Sequence, residues 1–104
     1  MIRVSVLYPN QPGKKFDWTY YTGKHIPLLK QRLSSKGLVR VELDKGISAP
    51  DPKAPPEFIA AEYLTFNTVD EVHEGFKAVG REVMGDIKNY TDVQPRIQIS
   101  EVVG

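Results

Sequence analysis

Apolar residues occupy every second position at the start of the chain, Ile2, Val4, Val6 and Tyr8, with Arg3 and Ser5 between them. That is the two-residue period of a half-buried strand, and the PNQPG that follows supplies turn chemistry. The period then changes. Tyr21, His25, Leu28, Leu29 and Leu33 recur at helical spacing behind Asp17, a helix-capping residue, with Phe16 and Tyr21 placed as a hydrophobic staple around the cap. A helix is predicted from there to about Ser35, and Gly37 ends it. LVRVEL alternates again as a second strand, and DKGISAPDPKAPPE, with four of the eight prolines, is a long exposed loop.

In FIAAEYLTF, residues 58–66, Ile59, Ala61, Tyr63 and Thr65 fall on one face and Phe58, Ala60, Glu62, Leu64 and Phe66 on the other. Both faces are partly apolar, as in a buried strand. The run TVDE matches a capping box, and Val69, Val72, Phe76, Val79 and Val83 form a helical stripe behind it. MGDIKNYTDVQP is a polar turn region and RIQISEVV a last strand.

The order βαββαβ predicts one α+β domain over residues 1–104, a ferredoxin-like plait with a four-stranded antiparallel sheet and both helices on one face. The face without helices would still carry apolar side chains, more than a chain of this size leaves wet. A twofold homodimer through the helix-free sheet faces, closing a barrel-like core, is expected.

Composition narrows the function. With 14 basic and 13 acidic residues the net charge is +1, and no run of like charge is long enough to follow a phosphate backbone, so nucleic acid is not an expected partner. No cysteine and only two histidines make a poor metal-ligand set, and no motif specifies a cofactor. MIRVSVLY lacks the apolar core of a signal peptide or membrane span, so a soluble cytoplasmic protein without membrane association is expected.

The candidate chemistry centres on FDWTYYTGKHIPLL. Pro27 has no amide hydrogen and its ring crowds the carbonyl of Gly23, which predicts a bend in the helix there. His25 lies beside that bend, on or next to the buried stripe, where a neutral imidazole needs both a donor and an acceptor. It is a structural histidine that holds the helix against the sheet, a catalytic acid/base at the mouth of a cleft, or an exposed residue of no consequence at the edge of the stripe. Residues 85–92 are expected to lie over the first half of this helix and to bring Asp86, Asn89 or Tyr90 within reach of His25. Tyr21, Tyr63, Asp86, Asn89 and Tyr90 are the candidate substrate-binding residues. His73 flanks the second helical stripe and is a weaker candidate.

YYTGKHIPLL, MGDIKNYTDVQP and RIQISEVV together resemble the EthD family, named for ethyl tert-butyl ether degradation, over nearly the whole chain. The resemblance implies a fold similar to the dimeric α+β barrel and covers Tyr21, Lys24, His25 and Pro27 in the first segment and Gly85, Asp86, Asn89, Tyr90 and Thr91 in the second. Lys88 departs from the pattern, which has a proline after GDI. Relatives on this fold include isomerases, cyclases, monooxygenases and haem-binding enzymes, so fold alone selects no reaction. Two functions follow as expectations. One is a small cofactor-independent enzyme that moves a proton on an apolar carbonyl or lactone-like metabolite of a catabolic or secondary-metabolite pathway. The other is an accessory protein that sequesters a hydrophobic intermediate.

Overall fold

A computed structural model describes all 104 residues. Strands β1 (Ile2–Pro9), β2 (Leu38–Lys45), β3 (Phe58–Phe66) and β4 (Arg96–Glu101) form one sheet in the order β2-β3-β1-β4, every neighbouring pair antiparallel. The first helical element follows β1 and the second, Val69–Gly85, follows β3. This is the ferredoxin-like plait. The strand period dictates which side chains meet. Val6 lies opposite both Glu62 and Ile97, and Val4 opposite both Leu64 and Ile99, so these six share one face of the sheet.

That face carries the helices. Val4, Leu64, Phe66, Leu29, Leu33, Val72 and Val83 are all buried there, each large apolar side chain contributing about 1.5–3 kcal/mol. The second helix begins at Thr68, whose side chain accepts from the Glu71 amide at 3.1 Å while the Glu71 carboxylate accepts from the Thr68 amide at 3.1 Å. Two otherwise unpaired amides are satisfied by this reciprocal pair. Gly37 closes the first helical element at φ 100°, and a Cβ there would meet the Glu71 carboxylate. The left-handed backbone favours glycine there, and the Glu71 side chain would have to shift to admit any other residue.

Two features differ from the sequence expectations. Only the middle of the helix-free face is apolar: Leu7, Ile59 and Ala61 lie on β1 and β3, whereas β2 and β4 present Arg40, Glu42, Asp44, Arg96 and Gln98. On the helix side, Ile97 and Ile99 of β4 remain 47% and 40% exposed, so the packing leaves an apolar flank open beside β1. No helix is long and apolar enough to cross a membrane.

Candidate active site

The first helical element changes hydrogen-bond register within its first eight residues. Asp17 caps an α turn, Trp18–Tyr20, by accepting from the Tyr20 amide at 3.0 Å. A π turn, Tyr21–His25, comes next, closed by the Ile26 amide donating to the Tyr21 carbonyl five residues back. Ordinary α-helix resumes over Ile26–Leu33, with Pro27 in its first turn, where a missing amide hydrogen costs least. The irregularity expected near Pro27 thus takes the form of one extra residue in a turn. Tyr21 and His25 both face inward, 0% and 1% exposed, with their rings stacked 6.0 Å apart.

Asp86, at the C-terminal cap of the second helix, meets His25 there: its Oδ2 lies 3.0 Å from His25 Nδ1. Tyr20 donates its hydroxyl to Asp86 Oδ1 at 2.6 Å, and Asn89 donates to the same oxygen at 2.9 Å. Burial alone would push the Asp86 carboxyl up, but the hydrogen bonds from Tyr20, Asn89 and His25 outweigh it and hold the group below its usual range. His25 is displaced the same way for another reason, because burial lowers its pKa more than the neighbouring Asp86 raises it. Near neutral pH the pair is therefore a carboxylate accepting from Nδ1–H of a neutral imidazole. Nε2 is left with its lone pair and has no hydrogen-bond partner within the chain.

His25 lines a cavity of about 270 Å³ between the second helix and strands β1 and β4. Eleven of its 14 lining residues are hydrophobic, Val6, Phe76 and Ile97 among them, and the other three are His25, Glu62 and His73. No lysine or arginine reaches it. His73 is exposed on the second helix. Glu62 comes from the middle of β3, is 2% exposed, and accepts from the Tyr21 hydroxyl through Oε1 at 3.0 Å. Burial pushes its carboxyl up to about 7, against the opposing pull of that hydrogen bond.

The structure treats the residues singled out in the sequence unequally. His25, Asp86 and Asn89 come together, and the segment carrying Asp86 and Asn89 is tied to the start of the first helix by the Asp17 amide donating to the Tyr90 carbonyl at 2.7 Å. Thr91 adds a hydroxyl donated to the Lys15 carbonyl at 2.6 Å. Tyr90 packs against His25 at 4.6 Å between ring centroids, while its hydroxyl pairs with that of Tyr8. Tyr21 holds Glu62 and does not line the cavity.

Tyr63 is a correction. Strand alternation turns it to the helix-free face, where the Arg3 guanidinium lies 5.7 Å from its ring centroid, so it is not part of the site. Glu62 and Tyr20 were missed. Glu62 had a readable signal, an acid on the same strand face as Ala60, Leu64 and Phe66. Tyr20 had none, because only the three-dimensional path of residues 85–92 brings Asp86 to its hydroxyl.

A plait of this topology, with a carboxylate-supported histidine beside an apolar cavity, defines an α+β protein of the ferredoxin-like class. No protein-family model matches the chain and no curated protein does. Among solved structures it is similar to an EthD-like protein from Ralstonia eutropha JMP134, 37% identical over 99% of this chain and 92% of that one, with a TM-score of 0.93. The chain belongs to the EthD family. An EthD family protein from Bacillus halodurans C-125 shares 16% identity over 99% of each chain with a TM-score of 0.70. A proposed antibiotic biosynthesis monooxygenase from Bordetella bronchiseptica shares 19% over 98% of this chain and 96% of that one, with a TM-score of 0.65. At such identities the last two show the fold alone.

Proposed function

We propose that this chain is a small cytoplasmic enzyme that moves a proton on a neutral, mostly apolar carbonyl or lactone-like metabolite, with His25 Nε2 as the base. One observation carries the reading: Asp86 holds Nδ1 and so fixes the tautomer, while Nε2, on a residue that lines the cavity, has no partner in the chain. The volume is somewhat under twice the roughly 150 Å³ of a dry cavity that takes up benzene, which suits a compact mono- or bicyclic compound. With no cationic side chain at the wall, an anionic ligand would be poorly held. Isomerisation, cyclisation or elimination within a catabolic or secondary-metabolite pathway all begin with such a proton transfer.

The test needs no knowledge of the natural substrate. A panel of neutral enolisable ketones and lactones is incubated in D2O, and deuteration beside the carbonyl is followed by NMR. Wild type is expected to exceed His25→Asn by about 10²–10⁴-fold on the compounds that bind. Equal rates would remove His25 from the chemistry. Binding without exchange by either protein would favour the second reading, an accessory protein that sequesters a hydrophobic intermediate, for which the largely apolar wall is equally suited.

We also infer that two copies pair through their helix-free sheet faces. Leu7 and Ile59 are only half-buried on that face, and a second copy laid over them would remove their apolar surface from water. Sedimentation at micromolar concentration should give a dimer that Leu7→Glu dissociates, and a wild-type monomer would sink the idea.

A further inference from the structure

We propose that Glu62 is a second catalytic group of this site, the acid that works with His25, and that the substrate is a neutral ketone or enone protonated on its carbonyl oxygen by Glu62. The inference rests on the proton-transfer reading of His25. A carboxyl in mid-strand, flanked on its face by Ala60 and Leu64 at 1% and 0% exposure, costs stability that an apolar residue would not. No lysine or arginine offsets it. Its one partner is the Tyr21 hydroxyl at Oε1, and Oε2, on a residue that lines the cavity, has none within the chain.

The titratable groups around Glu62 leave it free to act as an acid. From the first helix comes Tyr21 and from β1 comes Tyr8. Tyr90 lies behind them, and burial keeps all three hydroxyls protonated. His25 shares the cavity and is held neutral by burial, and His73 of the second helix sits in the same wall. Glu62 therefore keeps its proton up to about pH 7.

The step balances within the site. His25 Nε2 takes a proton from the carbon beside the carbonyl, the freed pair forms the enol double bond, and the carbonyl oxygen takes the Glu62 proton. Enol, imidazolium and carboxylate result. In the return step the imidazolium gives its proton to the same carbon or to the far end of the conjugated system, while the carboxylate recovers the hydroxyl proton. The net reaction is enolisation or, for an enone, a 1,3 shift of the double bond, and no co-reactant is consumed.

The probe is β-tetralone, a neutral bicyclic ketone, with deuterium exchange followed by NMR from pH 5 to 9 in wild type, Glu62→Gln, Tyr21→Phe and His25→Asn. Glutamine can still accept from Tyr21, so the fold is conserved while the proton is removed. Glu62→Gln should slow exchange by about 10²-fold, leave the tetralone Kd within about threefold and abolish the falling limb near pH 7. Tyr21→Phe removes the hydrogen bond that holds the Glu62 pKa down, so its limb should move to higher pH. If Glu62→Gln exchanges at the wild-type rate while His25→Asn does not, the acid role is overturned and the His25 reading survives. If wild type is no faster than His25→Asn, both fall. Should Glu62→Gln fail to fold, the Tyr21→Phe limb decides, and an unshifted limb overturns the proposal.

Discussion

Along the second helix the backbone ladder runs for 17 residues from a reciprocal cap, and the buried positions on it are apolar or glycine. The first helical element passes through α, π and α register within 16 residues, and what it buries includes a histidine and a tyrosine whose polar atoms reach a carboxylate and a carboxyl group. Both pack on the same sheet face. The difference lies in what they bury: the second helix is held by the transfer of apolar surface, which is indifferent to register detail, whereas the first must aim two polar side chains. Tyr21 and His25, four residues apart in the π turn, face inward together, on the side that Leu29 and Leu33 bury in the α-helix that follows.

The largest expected effect separates the two helices by pH. The Glu62 carboxyl that receives Tyr21 has its folded pKa raised from 4.5 to about 7. Between those values the folded chain binds more protons than the unfolded one, so the contribution of Glu62 to stability falls as pH rises and levels off above 7. At one pKa unit per 1.36 kcal/mol the loss is about 3 kcal/mol at most. His25, with its folded pKa lowered, acts in the opposite sense, and its contribution is lost as pH falls from about 6.5. The difference between Glu62→Gln and wild type cancels the His25 effect. Denaturant unfolding at several pH values should show the variant gaining on wild type from pH 4.5 to 7. A constant difference would mean that the carboxyl is not held neutral by the fold.

A cap deletion gives a smaller effect and probes the regular helix. Thr68→Ala removes the acceptor for the Glu71 amide and should cost about 1 kcal/mol. Because the second helix carries no proton-transfer group, deuterium exchange on the ketone panel should be unaffected under conditions where the variant is folded. A loss of activity larger than the loss of folded protein would show that Asp86, at the far end of this helix, depends on its first turn, and the separation between the two helices would weaken.

How much of this was legible in the sequence follows the same division. Strands and the second helix show themselves because one period runs the length of each, and the topology follows from their order. The first helix was legible as to place, through Asp17, the Tyr21 to Leu33 stripe and Pro27, but not as to register, since a π turn leaves no periodic trace in five residues. Asp86 beside His25 was anticipated from polar groups on both segments, whereas the part of Tyr20 was hidden because adjacent tyrosines look alike until the backbone chooses which faces in. Tyr63 was assigned to the wrong side although alternation already separated it from Glu62. A tyrosine draws attention as a ligand contact, yet the acid next to it on the apolar face was the unusual residue.

The smallest expected effect decides what makes the π turn. Pro27 cannot donate to the Gly23 carbonyl, so the local backbone explanation is that proline forces the register change, and Pro27→Ala would then restore an ordinary helix. The packing explanation differs. Removing the extra residue would turn Tyr20 and Tyr21 relative to the helix that follows, away from the bonds they make to Asp86 and Glu62, and would disturb the burial of Tyr21, now 0% accessible. Losing those two hydrogen bonds costs about 2–6 kcal/mol, far more than one recovered backbone bond contributes, at about 0.5–1.5 kcal/mol. Packing should win. A crystal structure of Pro27→Ala is expected to keep the π turn with both side-chain bonds intact, and stability should change by less than about 1 kcal/mol, mostly through greater freedom of the unfolded chain. A straight α-helix with Tyr21 turned outward would show instead that the proline, and not the buried polar pairs, writes the shape of the site.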